Sequence, residues 1–380
     1  MQPCVACARA EIVHRVHVGT MTDPLPECLV CYVRAHPLDA DNAVVNALME
    51  KVPSNINTPC PLCGMHYHPA NQLVRLDTTG AVRKAMGVTW ESETTDPSEL
   101  EARDRCISEC VALEFDVRKQ VELGAVFALF PSLGYLRMVR QPTQFTIIPR
   151  TVEWLDVSCS DITDLRIFSR MTRLTSLTFR ATHVPTFQGL EVHSHTLRFI
   201  DAEYSMMRSL QLIGTFSHLR TLRMSDTLLS SIEELRQCTE LEHLSIARTN
   251  VTDIGPLVSC PVLRTLDISS TKVTCIEALR NAMNLGELQM NQTAVATLDP
   301  LTHHKSLCVL SLSCTPVDSI APIVDCTTLM RLDISCTQVK SVGALGTCPL
   351  LVSLTVRGSL VSPRSIFYLR SLGYSGVIID

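Results

Sequence analysis

Charged and aromatic side chains are scarce in this chain, and long apolar runs are missing. Of its 380 residues, 19% are charged and 5% are aromatic, whereas 46% are hydrophobic. The net charge of −5 argues against nucleic acid or an anionic membrane as the main partner, because basic faces bind both. No run of about 18 apolar residues occurs, so we expect no membrane insertion.

Motifs for catalysis and for export are also missing. There is no nucleophile elbow, phosphate loop or dinucleotide fingerprint, so the sequence gives no support for catalysis by side chains. The N-terminal stretch MQPCVACARAEIVHR lacks the apolar core of a secretory signal. We therefore expect a reducing compartment, the cytoplasm or nucleus, in which cysteines are metal ligands or buried thiols more often than disulfides. The length predicts two or three domains.

Cysteine, by contrast, is abundant, and its arrangement near the N-terminus predicts zinc. Six of the 17 cysteines fall in three C-x-x-C pairs, Cys4/Cys7, Cys28/Cys31 and Cys60/Cys63, and an H-x-x-H pair, His14/His17, follows the first. Such pairs are typical of tetrahedral zinc sites, because a tight turn can direct both ligands at one ion. A segment with so little apolar mass needs a metal to fold. We predict a zinc-binding domain over residues 1–70.

Several ligand schemes fit these pairs. In an interleaved scheme one ion takes Cys4, Cys7, Cys28 and Cys31, and a second takes His14, His17, Cys60 and Cys63. In the alternative, the stretch CPLCGMHYH closes a compact site from Cys60, Cys63, His66 and His68. A single four-cysteine site beside surface histidines is a third possibility. We expect zinc, with two ions, and the schemes stay open at this point.

The interleaved order resembles the cross-brace of RING fingers. The ending Cys60-Pro61-Leu62-Cys63 matches the C-P-x-C of that family, and the apolar segment 43–49 stands where RING fingers have their helix. The resemblance implies an E2 ubiquitin-conjugating enzyme as a partner. The pattern departs from the family in the long spacing between His17 and Cys28, in the complete H-x-x-H pair, and in Gly64, where many ligases carry a cation. A structural or docking zinc module is the competing interpretation.

From about residue 150 the chain repeats itself. Leucines recur every 22 residues, and we number each repeat from this leading residue, as position 0. The leading residues are Val152, Leu174, Leu197, Leu219, Leu241, Leu263, Leu285, Leu307, Leu329 and Leu351. Positions 0, 3, 5, 10, 13 and 16 are apolar, so each repeat predicts one short parallel strand that shares a core with its neighbours.

This pattern resembles leucine-rich repeats, and the length and proline positions resemble the SDS22-like class. The resemblance implies an α/β solenoid, a horseshoe of about ten 22-residue units with little regular α-helix on its convex side. Position 8 is Thr in most repeats, where the family usually has Asn. We expect the hydroxyl to bond the backbone of adjacent turns as the Asn amide does. Cysteines at position 19 are interpreted as buried hydrophobes.

The concave face, at positions 2, 4 and 6, is polar and of mixed sign. Aromatic and arginine side chains are the usual anchors of protein interfaces, and they gather at its N-terminal end. We predict that a protein partner contacts Trp154, Arg180, Phe199, Tyr204 and Arg223. Alternatively, these residues cover the junction with the N-terminal part of the chain. Cys314 and Cys336 share position 7 of adjacent repeats, as a redox pair or as two unrelated thiols.

The segment between the two signals predicts a linker over 71–97 and a helical cap over 98–149. Ser98 and Glu101 form a capping box, and apolar residues follow to Leu129. The repeats then occupy 150–380, and residues 376–380 predict a last strand. The whole layout resembles the expression-site-associated leucine-repeat proteins of trypanosome-like parasites, described as adenylate cyclase regulators. We expect a protein-interaction scaffold, or alternatively a RING-type E3 ligase whose repeats select the substrate.

Overall fold

The structure of the chain is a computed structural model. It describes residues 17–20, 23–28, 74–77, 112–116, 133–139, 148–373 and 378–379. The chain divides into two compact units, the first of residues 1–162 and 166–179, the second of residues 163–165 and 180–380.

Five parallel strands lie in the described part of the first unit. A separate antiparallel hairpin joins β1 (His17–Thr20) and β2 (Asp23–Cys28). The parallel strands pair in chain order and are β3 (Val74–Asp77), β4 (Ala112–Asp116), β5 (Tyr135–Val139), β6 (Trp154–Asp156) and β7 (Ser176–Thr178). A 3-10 turn at Arg166–Phe168 follows β6.

The predicted helical cap is wrong where the structure describes it. Strand β4 lies inside the stretch for which the capping box predicts a helix, and β5 is also extended. The reason is visible in the sequence, since Val111, Leu113, Phe115 and Val117 are apolar at every second position. That alternation is the period of a strand, and it outweighs the weaker helical spacing. Strand β3 likewise lies within the predicted linker 71–97.

The repeat pattern begins earlier than residue 150. Leu133, Leu136 and Met138 stand in the relation of positions 0, 3 and 5, and all three are completely buried. Leu136 of β5 is in register with Leu155 of β6. This repeat escapes a search for 22-residue spacing because Leu133 precedes Val152 by 19 residues. The core of the first unit therefore includes side chains from the segment predicted as a cap.

The second unit is a run of in-register parallel strands. They are β8 (Phe199–Asp201), β9 (Thr221–Arg223), β10 (His243–Ser245), β11 (Thr265–Asp267), β12 (Glu287–Gln289), β13 (Val309–Ser311), β14 (Arg331–Asp333), β15 (Ser353–Thr355) and β16 (Ile378–Ile379). From β9 to β15 each central leucine is in register with the one 22 residues later. The predicted last strand is confirmed, because Ile379 pairs with Leu354.

Short 3-10 segments return the chain from one strand to the next. They are Glu191–His193, Ile213–Thr215, Glu233–Gln237, Gly255–Ser259, Glu277–Leu279, Asp299–Leu301, Ala321–Asp325 and Gly343–Thr347. One α-helix, α1 (Pro363–Ser371), follows the last full repeat and was not predicted. Ser362 caps it by accepting a bond from the Ser365 amide, and Pro363 occupies the first turn, where its missing N–H costs nothing.

The interior of the second unit follows the predicted positions. In the repeat that begins at Leu241, positions 3, 5, 10, 13 and 16 are all buried. Position 19 adds a further inward row: His193, Phe216, Cys238, Cys260, Ala282, His304, Cys326 and Cys348. The Nε2 of the buried His304 donates to the Leu279 carbonyl at 2.9 Å.

The hydroxyls at position 8 bond within their own repeat, which corrects the expectation that they join adjacent turns. Thr249 donates to the Ile246 carbonyl at 2.7 Å, and Thr271 donates to the Ile268 carbonyl at 2.6 Å. A shorter hydroxyl side chain does not reach where an Asn amide would. The link between turns comes instead from the backbone at position 7, where the Arg248 amide donates to the Ser269 carbonyl at 2.8 Å.

Position 7 is left-handed in all ten predicted repeats. The residues are Cys159, Ala181, Tyr204, Asp226, Arg248, Ser270, Gln292, Cys314, Cys336 and Gly358, with φ between 51° and 71°. Nine of them carry a Cβ, for which this conformation costs roughly 1–2 kcal/mol. The inter-repeat amide bond and the Thr bond at the next position hold the backbone there.

Candidate protein-binding surface and metal ligands

The structure describes two of the predicted zinc ligands, at backbone level. His17 and Cys28 are register partners across the hairpin β1–β2. The hairpin occupies the long spacing between these two residues. Cys4, Cys7, His14, Cys31, Cys60, Cys63, His66 and His68 lie outside the described residues. In the part of the chain whose side chains are described, no group of three His, Cys, Asp or Glu residues could hold a metal.

Trp154, in the first unit, is engaged with its own chain. It is 8% exposed, and its ring stacks on that of Tyr135 at a centroid distance of 4.1 Å and an interplanar angle of 10°. Tyr135 belongs to the segment predicted as a cap, and the two residues are register partners of β5 and β6. For Trp154, the geometry agrees with the alternative that it covers the junction with the N-terminal part of the chain.

Arg180 belongs to a closed ionic cluster in the second unit. Its Nε donates to Asp201 Oδ2 at 2.9 Å, and its Nη2 donates to Glu203 Oε2 at 2.7 Å. Arg223 adds a longer contact of 3.8 Å to the same Asp201 oxygen. The Arg180 side chain is 16% exposed and that of Asp201 only 3%. Burial raises the pKa of the Asp201 carboxyl, and the Arg180 charge opposes that rise.

Phe199 completes this cluster from beneath. It is 2% exposed, and the Arg223 guanidinium lies 5.8 Å from its ring centroid. The cation therefore lies over the aromatic face, a favourable arrangement for a partly desolvated guanidinium. We call Arg180, Phe199, Asp201, Glu203 and Arg223 the closed patch. Its side chains are already bonded to one another, so three of the five predicted partner contacts have few free groups.

Tyr204 is the predicted contact that remains open to solvent. It is 57% exposed at position 7, beside Asp226 and Arg248 at the same position of the next two repeats. Arg248 Nε donates to Asp226 Oδ1 at 2.6 Å, and its Nη2 bonds the second carboxylate oxygen. A hydrogen bond with Tyr204 adds to the effect of Asp226 in raising the pKa of Arg248. We call Tyr204, Asp226 and Arg248 the rim cluster.

Two exposed arginines lie at the other end of the second unit. Arg331 is at position 2 of its repeat and Arg357 at position 6. Among the residues that the structure describes, neither forms an ion pair. Around them the sheet surface carries small side chains, and Asp333 is occupied by accepting from the Ser335 amide at 2.9 Å. We call Arg331 and Arg357 the open patch. Arginine is a typical interface residue, so the sequence contained a signal for this patch. The prediction nevertheless chose the opposite end, because the aromatic residues gather there.

His243 lies midway along the sheet surface. Its Nδ1 is 2.9 Å from Thr265 Oγ1. Burial lowers its pKa to about 4, and the charges of Arg264 and Arg223 work in the same direction against Glu242. The ring is therefore neutral at physiological pH and serves as a hydrogen-bonding group of the sheet surface.

The cysteines at position 19 are buried thiols, as predicted. Burial raises the pKa of Cys238 to about 12, that of Cys260 to about 11 and that of Cys326 to about 12. Such thiols stay protonated and inaccessible. Cys159, Cys275, Cys314 and Cys336 are exposed.

Comparisons with known proteins agree with the repeat fold. A family model described as "Leucine Rich repeats (2 copies)" matches residues 239–281, and one described as "Leucine Rich repeat" matches residues 325–346. Together with the in-register parallel strands, these matches identify leucine-rich repeats in the chain. No curated protein sequence matches it.

Solved leucine-rich-repeat structures resemble the chain in fold. An internalin, InlF of Listeria monocytogenes, is 16% identical with a TM-score of 0.68, and the match covers 82% of this chain and 96% of that one. A leucine-rich-repeat protein of Leptospira interrogans is 14% identical with a TM-score of 0.55, covering 73% and 85%. The plant peptide hormone receptor RGFR1, solved in complex with RGF2, is 16% identical with a TM-score of 0.53, covering 67% and 45%.

No membrane-spanning helix was found among the described residues: none lies in a helix with the length and apolarity that a bilayer requires.

Proposed function

We propose that the chain is a protein-interaction scaffold that binds a polypeptide partner on the exposed surface of its leucine-rich-repeat sheet. Leucine-rich-repeat proteins commonly act in this way, and the structure of the plant receptor RGFR1 holds a peptide hormone. The observation that carries the proposal is the rim cluster. It presents the exposed ring of Tyr204 beside Arg248, whose guanidinium is held in place by hydrogen bonds to Asp226. An aromatic ring next to an arginine is a combination typical of interface anchors.

The closed patch supports this surface without being the contact itself. Its ion pairs join Arg180 to Asp201 and to Glu203, the residue that precedes Tyr204, so the anchor follows a well-fixed segment. A partner that reaches Tyr204 would meet the half-buried polar side chains of the sheet, including His243. Mixed charge on this surface favours a polar peptide over an apolar one.

Site-specific photocrosslinking in cells tests the proposal. A photoreactive phenylalanine analogue at Tyr204 is expected to crosslink one discrete protein, whereas the same analogue at Val258 should not. Val258 is a matched control, because it is 53% exposed and lies in a 3-10 segment of the second unit away from the sheet surface. Equal labelling from both sites, or none from Tyr204, would reject this surface.

A zinc module over residues 1–70 is the second part of the proposal. The three C-x-x-C pairs and the H-x-x-H pair support two zinc ions, with Cys4, Cys7, Cys28 and Cys31 on one and His14, His17, Cys60 and Cys63 on the other. His66 and His68 are the alternative ligands. His17 and Cys28 are register partners in the hairpin, whereas this scheme assigns them to different ions, so the pairing supports local order and leaves the ligand scheme open. We assign it a structural or docking role in a reducing cytoplasmic or nuclear compartment.

An E3 ubiquitin ligase is the alternative function, favoured by the RING-like order and the C-P-x-C ending. In that case the zinc module positions an E2 enzyme and the repeats select the substrate, and the resemblance to the trypanosome proteins remains a hypothesis about layout. The test is autoubiquitination of the purified chain with a panel of E2 enzymes, with Cys60→Ser as control. Ubiquitin chains that form with the wild type and vanish in the variant would establish the ligase. A chain that binds zinc and stays unmodified with every E2 would favour the scaffold function over the ligase.

A further inference from the structure

Two exposed thiols stand side by side on neighbouring repeats. Cys314 and Cys336 both occupy position 7, three residues after the ends of strands β13 and β14, which are parallel and in register. Their backbones have the same conformation, with φ of 57° and 55°. Each amide donates to the following repeat, Cys314 to the Ser335 carbonyl and Cys336 to the Arg357 carbonyl, both at 2.8 Å. The two residues therefore follow the spacing of adjacent strands.

That spacing suits a disulfide. Neighbouring strands lie about 4.8 Å apart, and disulfides join Cα atoms that are about 4.4–6.8 Å apart. The Cys336 thiol donates to the Arg357 carbonyl at 3.8 Å, and the proximity of Cys314 raises the pKa of Cys336. Gly358, at position 7 of the next repeat, has no side chain, and a Cβ there would lie 3.0 Å from the Cys336 sulfur.

We propose that Cys314 and Cys336 are a redox site that closes to a disulfide between adjacent repeats by exchange with a small oxidised disulfide such as oxidised glutathione. The Cys314 thiolate attacks one sulfur of the small disulfide, forms a mixed disulfide and releases one thiolate. The Cys336 sulfur then attacks the Cys314 sulfur and releases the second. Two protein thiols lose two electrons and two protons, and the small disulfide is reduced to two thiols. The exchange can equally begin at Cys336, with the same products.

Other cysteines of the chain serve as internal controls. Cys238 and Cys260 also share one position on adjacent repeats, but both are buried, and oxidant cannot reach them. Cys159 and Cys275 are exposed, but among the described residues no cysteine shares their position on a neighbouring repeat. Adjacency and exposure coincide at Cys314 and Cys336, so these three classes should react differently with the same reagent.

The test is peptide mapping of the full chain after incubation with oxidised glutathione, alkylation and digestion with trypsin. Cys314 falls in the peptide 306–331 and Cys336 in the peptide 332–340. We expect these peptides joined with the loss of two hydrogens, while Cys159 and Cys275 carry glutathione and the buried pair is unmodified. The link should be lost in Cys314→Ser and in Cys336→Ser and kept in Cys308→Ser, since Cys308 shares the first peptide.

Two results would overturn the proposal. Glutathione on both Cys314 and Cys336 without the joined peptide would show that the thiols cannot meet. A joined peptide that persists in Cys314→Ser would place the link on Cys308 or Cys326. Neither result depends on the partner proposed for the rim cluster, because the readout is the covalent link alone.

Discussion

The closed patch and the open patch each carry two arginines, near opposite ends of the second unit, yet they present different surfaces. Arg180 and Arg223 are 15–16% exposed in their side chains and share buried carboxylates. Arg331 and Arg357 are exposed, with small neighbours. The difference shows that an arginine on a repeat surface is a candidate contact only when no acidic side chain on the next repeat pairs with it. For Arg180, Asp201 and Glu203 follow 21 and 23 residues later.

The largest expected effect is the difference in the free energy of unfolding between alanine variants of Phe199 and Tyr204. Phe199→Ala should lower the free energy of unfolding by about 3–5 kcal/mol, because it removes a buried ring and leaves a cavity beneath Arg223. Tyr204→Ala should change it by about 0.5 kcal/mol or less, since that ring is solvent-exposed. Urea unfolding of both variants measures the difference. A small effect for Phe199→Ala would contradict a structural role and would make this residue a candidate partner contact again.

Removing Arg180 should cost about 2–3 kcal/mol at pH 7, because the Asp201 carboxylate is left buried with one distant cation. The folded pKa of Asp201 is raised, so the stability linked to this group is fully present below its ordinary value of about 3.9 and is lost as the pH rises through the folded pKa. The defect of Arg180→Ala should therefore shrink towards pH 4, where a protonated Asp201 needs no cation.

Arg357→Ala is the matched control, with an expected change of about 0.5 kcal/mol or less at both pH values. Urea unfolding at pH 7 and pH 4 measures the change in the free energy of unfolding for both variants at both pH values. If Arg180→Ala and Arg357→Ala cost the same at pH 7, the distinction between the two patches is wrong.

His243 should give the sheet surface a pH dependence of its own. Its folded pKa of about 4 lies below the ordinary value of about 6.5, so its contribution is present above pH 6.5 and is lost as the pH falls towards 4. Allowing for screening by water, we expect a loss of about 1–2 kcal/mol across this window. His243→Gln should flatten that part of the profile. An unchanged slope would mean that the ring is protonated in place.

The smallest effects concern the left-handed backbone at position 7. Gln292→Gly should raise the free energy of unfolding by about 0.5–1 kcal/mol, because glycine relieves the strain of a Cβ at φ 55°. Gly358→Ala should lower it by about 1 kcal/mol, because it adds strain and a contact with the Cys336 sulfur. Thermal unfolding measures both. Shifts of the same sign would show that position 7 does not govern them.

The sequence was sufficient to predict the strands of the repeats, because a strict 22-residue spacing leaves one parallel register. It was insufficient wherever that spacing changed, as at Leu133, or where two periods competed, as around Leu113. The left-handed backbone was hidden, since one residue in ten at position 7 is glycine. The ion pairing of Arg180 could have been predicted from Asp201 and Glu203 one repeat later. The burial of Phe199 under Arg223 could not, because it depends on the three-dimensional packing.

The inward row at position 19 bears on how such a chain can grow or shrink. Because one repeat is in register with the next at every step from β9 to β15, duplication of a 22-residue segment preserves the hydrogen bonding on both sides. His304 fits the same scheme, since it stands between Ala282 and Cys326 at this position and bonds the backbone carbonyl of Leu279. We therefore expect the insertion or removal of one 22-residue repeat within this run to leave the fold intact.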